Sequence, residues 1–206
     1  TAKEFASLGA SVVLHYFTDL ESINIIKQEI EEKYKVPVLI VQGDISKEED
    51  VARMLEEVLS VFGHIDVLVN NAGVQYQSDS LEEISDEQFD WTMKVNIYGM
   101  FYLTRACLPH LKEGSSIINL TSVTTFYGEP QLIDYVTTKG AIVGFTRSLA
   151  RSLALKNIRV NAIAPGFFWT PLQPACWVAE KIPSLGADAA MGRGAMPYEL
   201  AQTFVF

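Results

Sequence analysis

Apolar residues recur along this chain in two alternating rhythms: short unbroken runs, and longer stretches spaced three to four residues apart. Residues 1–8 read as the end of a helix that Gly9 terminates, and Val12-Val13-Leu14 then forms a run suited to a buried parallel strand. Over residues 20–34, Ile23, Ile26 and Ile30 share one helical face, with charges between them. Residues 36–41 predict the next strand, with Pro37 in its first turn rather than its centre. A helix over 47–62 and a strand over 66–70 follow. Ser85 with Gln88 then makes a capping box for a long helix reaching residue 111. A strand over 116–120, a second long helix over 134–156 and a strand over 158–164 complete the regular part.

Strands alternating with helices predict an α/β fold, a doubly wound parallel sheet covered on both faces. Right-handed crossovers would align the C-terminal ends of the strands along one edge, where ligands bind. The 206 residues suit a single domain, and a hydrophobic content of 49% is enough to build its core. Residues 165–197 break the rhythm with five prolines, three glycines between Gly186 and Gly194, and the aromatics Phe167, Phe168, Trp169 and Trp177. A loop-rich stretch after the last strand is where a substrate lid belongs.

Charge and cysteines narrow the function classes. A formal net charge of −9 argues against a nucleic-acid backbone as partner, because that surface demands concentrated basic residues. No apolar run is long enough to cross a bilayer, and no charged-then-apolar leader is present. Cys107 and Cys176 lack CxxC or metal-ligand spacing. They read as reduced thiols of a cytoplasmic protein without a metal site.

Tyr135 and Lys139 stand four apart on the second long helix, on one face. A tyrosine titrates near about pH 10, and a neighbouring ammonium favours the phenolate, so the pair makes a sensible acid–base unit. Alone such a pair is commonly an exposed helical contact. Ser122 strengthens the case: it follows a strand end and precedes Tyr135 by thirteen residues, so a strand–loop–helix brings both to one crevice. Its hydroxyl would then donate to a substrate oxygen, whereas the bland alternative is a loop serine satisfying backbone groups, as expected of Ser115 and Ser116. Asn70-Asn71-Ala72-Gly73 directly follows a strand, where small residues admit a ring or ribose and Gly73 permits an unusual turn. Asn96, amid apolar neighbours, must find partners: a backbone carbonyl, or a water leading to Lys139. Asp44 in Gly43-Asp44-Ile45 is a helix cap or an adenine acceptor, and Pro165-Gly166 with Thr170 is a turn or a frame for a carboxamide.

In this order and spacing, Gly43-Asp44-Ile45, Asn70 to Gly73, Asn96, Ser122, Tyr135-x-x-x-Lys139, Asn161 and Pro165-Gly166 with Thr170 resemble the short-chain dehydrogenase/reductase family over nearly the whole chain. Ile133-Asp134-Tyr135, Thr138 to Ala141 and Trp169 to Leu172 look most like its glucose/ribitol-dehydrogenase and general-stress branch. The resemblance implies a Rossmann-like fold and an enzyme that moves hydride between NAD or NADP and a carbonyl or alcohol of a sugar, polyol or small carbonyl compound. Tyr135 would transfer the proton and Ser122 would orient the substrate oxygen. Lys139 would lower the tyrosine pKa and bind the nicotinamide ribose, and Asn96 would hold a relay water. Asp44 and Ile45 would lie at the adenine, Asn71, Ala72 and Gly73 along the cleft, and Pro165, Gly166 and Thr170 at the carboxamide. The helices over 85–111 and 134–156 correspond to those that build the family's dimer, so a homodimer or homotetramer is expected.

Two departures matter. No Gly-x-x-x-Gly-x-Gly phosphate loop occurs, and the strand expected before it, central between the runs at 12–14 and 66–70, is not found; nor is the family's last strand. Residues 1–206 therefore read as a partial sequence of a longer active enzyme, with a truncated, non-catalytic binding module as the alternative. Tyr16, at the end of its strand, occupies the position where an acid would select NAD. With no acid there, the expectation tilts toward NADP.

Overall fold

A computed structural model describes residues 1–177 and 179–206. Helix α1 (Ala2–Ser7) leads through Gly9, whose φ of +88° needs no Cβ, into strand β1 (Val12–Tyr16). Helix α2 (Leu20–Tyr34) begins where the Asp19 carboxylate accepts the Ser22 N–H. Its face buries Ile30 completely against Val12, Leu14 and Val38. Strand β2 (Val38–Gln42), helix α3 (Glu48–Phe62) and strand β3 (Ile65–Asn70) follow. Pro37 stands just ahead of β2 and its carbonyl accepts the Val12 N–H, so the missing donor costs nothing there.

The helix expected over 85–111 is instead three pieces: α4 (Asp86–Met93), a π-helical turn (Lys94–Gly99) and α5 (Met100–Cys107). The wide turn accommodates the buried Asn96, a frequent association of π-bulges with functional positions. Pro109 then tightens the end into a 3₁₀ turn, and Leu111 already belongs to β4 (Leu111–Leu120), paired with Ile65 across a register shift. The capping box is only half made. Ser85 accepts the Gln88 N–H, but the Gln88 side chain turns away to Ser78 and Asp134. Ser115 satisfies backbone as expected, accepting from the Lys112 N–H and donating to the Ile65 carbonyl.

Beyond β4 come α6 (Thr124–Tyr127), α7 (Ile133–Leu153), β5 (Arg159–Ile163), α8 (Leu172–Cys176) and α9 (Pro197–Ala201). The three short helices among these had no periodic signal, since a helix of one turn shows none. All pairings are parallel: β1 with β2, and β3 with β4 with β5. The sheet is thus in two parts, and among the described residues no strand lies between β1 and β3. Val13 of β1 and Val67 of β3 remain 37% and 38% exposed. The α/β architecture and the two-part sheet agree with the sequence expectation. Among the described residues, no helix is long and apolar enough to cross a membrane.

The segment after β5 closes on itself. Trp169 N–H donates to Ala195 O, and Ala195 N–H to Phe167 O, at 2.9 and 3.0 Å. The closure leaves no room for side chains on two glycines. A Cβ on Gly186, already at φ +82°, would come 2.6 Å from the Gly194 nitrogen, and one on Gly194 would come 2.5 Å from the Phe167 ring. Gly186→Ala is expected to lower stability by about 1–3 kcal/mol, as overpacking does. Gly144→Ala, in open space on α7, should instead raise it by about 0.5–1 kcal/mol. Urea midpoints check both; equal midpoints for the two variants would show that this closure contributes nothing.

Candidate active site

The C-terminal ends of β3, β4 and β5 converge on the first two turns of α7. Thr121, just beyond β4, donates its N–H to Ile163 O on one side and its hydroxyl to Lys139 O on the other (2.7 Å). The strand ends and α7 are therefore pinned together. The start of α7 is pinned a second time, by the carboxylate of Asp134, which is 1% exposed. It accepts from the Tyr135 N–H (2.7 Å), the Thr92 hydroxyl (2.8 Å) and the Gln88 amide (3.1 Å), tying α7 to α4. A buried carboxylate needs such partners, and its position at a helix N-terminus suits its charge.

These restraints gather Ser122, Tyr135 and Lys139 into one buried corner, at 7%, 9% and 5% exposure. Lys139 Nζ lies 5.4 Å from the Tyr135 ring centroid and donates to Leu120 O at 2.8 Å. Ser122 Oγ accepts from the Thr124 N–H and hydroxyl, which leaves its own proton free to donate. Its hydroxyl is also near enough to Tyr135 to lower the pKa of that phenol.

The electrostatics differ from expectation. Burial raises the Tyr135 phenol above its ordinary value, outweighing the hydrogen bond from Ser122 that lowers it, and the neighbouring Cys176 and Tyr127 raise it further. Burial also depresses Lys139, to about 8. Desolvation acts on both groups at once, and the lysine's hydrogen bond is spent on a backbone carbonyl rather than on the phenol. Tyr135 is accordingly held as a protonated acid at neutral pH.

Asn96 finds protein partners, including the expected backbone carbonyl. Its Oδ1 accepts the Val74 N–H (2.8 Å), and its Nδ2 donates to Val74 O (2.9 Å) and the Thr138 hydroxyl (3.0 Å). It clasps the segment leaving β3. Gly73 lies against this clasp without a positive φ, so the reason for a glycine is space and not an unusual turn. A Cβ there would stand 3.2 Å from Asn96 Oδ1 and 3.5 Å from Lys139 Nζ. Asn71 and Ala72 are exposed beside it.

The remaining expected residues are distributed along the same edge. Tyr16 ends β1, half-buried, its carbonyl accepting the Gly43 N–H. Asp44 does not cap α3, whose N-cap is Lys47; its carboxylate closes a local turn on the Ser46 N–H and hydroxyl. Ile45 packs its side chain into the core with Val41, Val51, Met54 and Val95, so any contact it offers a ligand comes from its backbone. Pro165 O accepts the Val123 N–H, which ties the end of β5 to the Ser122 loop. Gly166 is exposed, and Thr170 is half-buried ahead of α8, with its carbonyl accepting the Gln173 N–H.

Three participants escaped the sequence reading. Asp134 and Thr138 entered only as part of the branch resemblance, with no role assigned to either side chain. Gln75, only 6% exposed, donates its amide to the Cys176 thiol at 2.7 Å, a contact between residues 101 apart in sequence.

The corner fits the nicotinamide–ribose end of a dinucleotide. An ammonium has three donors, and among the described residues only one bond of Lys139 is made, to Leu120 O, so two donors are left for ribose hydroxyls. The missing Cβ of Gly73 keeps the space above that ammonium open. No phosphate-binding glycine loop lies within residues 1–206 to take the other end.

Comparison with known proteins agrees with this geometry. A family model described as enoyl-(acyl carrier protein) reductase matches residues 1–206. The chain is 45% identical over 208 residues to a chloroplastic NADPH-dependent aldehyde reductase 1 of Arabidopsis thaliana, covering 98% of this chain and 72% of that protein. It is 41% identical to general stress protein 39 of Bacillus subtilis (strain 168), covering 98% and 70%. Among solved structures, a short-chain dehydrogenase/reductase of the glucose/ribitol dehydrogenase type from Brucella melitensis superposes with a TM-score of 0.84 at 31% identity, covering 100% of this chain and 80% of that one. With the two-part parallel sheet and the Ser122–Tyr135–Lys139 corner, these matches establish that the chain belongs to the short-chain dehydrogenase/reductase family of oxidoreductases, among its glucose/ribitol-dehydrogenase-like and general-stress members.

Proposed function

We propose that this chain carries the acid–base site of an NAD(P)-dependent enzyme that interconverts a carbonyl and an alcohol on a small polar molecule, of the sugar, polyol or simple carbonyl class. The observation that carries the reading is the convergence of Ser122, Tyr135 and Lys139 in a single buried corner that also leaves room beside Gly73. A nicotinamide, when bound, supplies or accepts the hydride. The protein's own groups do the rest. Ser122, with its proton free, donates to the substrate oxygen and holds the carbonyl in place. Tyr135, kept protonated by burial, gives its proton to that oxygen as negative charge develops, and takes it back in the reverse direction. Lys139 presents its unused donors to the ribose and places positive charge beside the phenol, favouring the phenolate each time it forms. Asn96 fixes the Val74 backbone, and with it the wall of the cleft next to Gly73.

Asn71, Ala72, Gly73, Pro165, Gly166 and Thr170 line the dinucleotide side in this reading, with Tyr16 and Asp44 toward the adenosine. NADP is favoured over NAD because Tyr16 stands where an acid would repel a 2′-phosphate. The Arabidopsis relative named as NADPH-dependent supports the same choice. Residues 165–197 serve as the lid over the substrate. A non-catalytic binding module explains the corner less well, because such a module does not call for a serine hydroxyl, a phenol and an ammonium gathered at one buried point.

Ser122→Ala tests the reading. Loss of one aligned donor to the developing oxyanion should reduce kcat by about 10²–10³-fold in the full-length protein, followed by nicotinamide absorbance. Turnover unchanged in that variant would remove Ser122 from the mechanism.

A further inference from the structure

Tyr135 is the third residue of α7, and the residue before that helix, Leu132, makes no side-chain cap. The N–H groups of a first helical turn lack partners within the helix, and helix ends fray. A general acid placed there needs outside support, since a displacement of about 1 Å can cost about 10²-fold in rate. Neighbouring side chains supply that support at both poles of the Tyr135 backbone. Its N–H donates to Asp134 Oδ1 at 2.7 Å, and its carbonyl accepts the Thr138 hydroxyl at 2.6 Å.

Both supports are anchored in one row of residues on α4 and the π-helical turn that continues it. Gln88, Thr92 and Asn96 stand four residues apart; the first two donate to Asp134 Oδ2, and Asn96 Nδ2 donates to the Thr138 hydroxyl. Thr92, Asn96, Asp134 and Thr138 are all almost completely buried, so no solvent stands in for a lost partner. Asp134 shows a feature that packing alone does not require. Three groups aim at its two oxygens, and all three are donors: the Tyr135 N–H, the Thr92 hydroxyl and the Gln88 amide. The position calls for an acceptor-only side chain. The Thr92 proton also has a second acceptor in reach, Gln88 O at 2.9 Å within its own helix. A charged acceptor at Asp134 draws that proton across to α7.

We propose that Asp134 is a positioning residue for the reaction: its carboxylate, held from α4 by Thr92 and Gln88, fixes the Tyr135 backbone so that the phenol meets the substrate oxygen. The assignment goes beyond the oxidoreductase reading while resting on it. Asp134 is buried between α4 and α7 and acts through Tyr135. Lys139 and Ser122 have fastenings of their own, to Leu120 O and to Thr124. Loss of the Asp134 contact therefore slows proton transfer and leaves binding in place. Asparagine has nearly the same shape but brings an amide N–H to a place where donors already point, which splits the row there. Removing the Thr92 hydroxyl weakens the same contact from the far side.

The test uses full-length protein, the oxidised and reduced forms of both nicotinamide dinucleotides, and whichever of glyceraldehyde, glucose and ribitol the wild type turns over. Asp134→Asn should lower the single-turnover rate by about 10–100-fold, with KM and dinucleotide affinity within about threefold of the wild type. Its solvent deuterium isotope effect should exceed the wild type's, because the misplaced proton donor then limits the step. Thr92→Val should lower the rate by about 3–10-fold, and Thr92→Ser, which restores the hydroxyl, should return it to within about twofold. If Asp134→Asn melts too low for assay, the two Thr92 variants decide alone. An unchanged rate in either Asp134→Asn or Thr92→Val overturns the assignment. So does an isotope effect no larger than the wild type's, an equal loss in KM or dinucleotide affinity, or a Thr92→Ser no faster than Thr92→Val. In each of those cases the wild type still turns over, and the oxidoreductase reading survives. A wild type inactive on all three compounds with both nicotinamides removes that reading, and this assignment with it.

Discussion

Tyr135→Phe is expected to reduce kcat by about 10³-fold, with KM and dinucleotide affinity nearly unchanged. Phenylalanine keeps the ring, which is 9% exposed and faces Lys139, so the walls of the corner survive the change. Only the hydroxyl is lost, and with it the proton that must reach the substrate oxygen. Ser122 can still orient that oxygen, but its own hydroxyl titrates far too high to serve as the acid. Single-turnover nicotinamide absorbance separates the chemical step from binding, and dinucleotide fluorescence reports affinity. A variant that turns over at the wild-type rate would take Tyr135 out of the mechanism. One that loses dinucleotide binding together with turnover would make it a structural residue.

Lys139→Met should move activity and stability in opposite directions. Activity is expected to fall by about 10²–10³-fold, because no cation remains beside the phenol and the ribose loses its donors. Stability at neutral pH should rise. Lys139 has a folded-state value of about 8 against an ordinary 10.5, so below about pH 8 the folded protein carries a buried ammonium that it binds less well than the unfolded chain does. The difference corresponds to roughly 3 kcal/mol of destabilisation, and the methionine removes it while retaining an apolar stem in the same space. Between about 8 and 10.5 the unfolded wild-type chain holds more protons than the folded one, so wild-type stability climbs with pH across that window. The variant should lack this climb, and the two curves should approach each other above it. Urea unfolding at a series of pH values reads this directly. Parallel curves would mean that Lys139 is not desolvated as described.

The parts of the site legible in the sequence were those carried by short local spacing. Tyr135 and Lys139 one helical turn apart, Ser122 beyond a strand end, and Asn71 to Gly73 after another strand all announce themselves within a few residues. The apolar runs at Val12 to Leu14 and Val67 to Val69 likewise located strands, since burial on two faces demands them. What spacing could not show is what depends on distant partners. The turn that interrupts the helix over 85–111 answers to Asn96, whose partners Val74 and Thr138 come from other elements. The carboxylate of Asp134 is likewise explained only by Gln88 and Thr92 across the α4–α7 contact. The sign of the Tyr135 shift is hidden from the sequence for a related reason. A pair of residues displays its charges in the sequence, but the depth of burial that overrides them belongs to the folded packing. Gly73 shows the same limit: the residue type pointed to backbone freedom, whereas the neighbours Asn96 and Lys139 reveal a need for space.

The account stands on a substrate oxygen being shared by a serine hydroxyl and a tyrosine hydroxyl, with an ammonium behind them. The most direct measurement is a crystal structure of the full-length protein with a nicotinamide dinucleotide and an unreactive alcohol or carbonyl analogue. It should place the analogue's oxygen within hydrogen-bonding distance, about 2.6–3.2 Å, of both Ser122 Oγ and the Tyr135 hydroxyl, with Lys139 Nζ on the ribose. An analogue bound with its oxygen on other residues, and Lys139 still turned to Leu120 O alone, would contradict it.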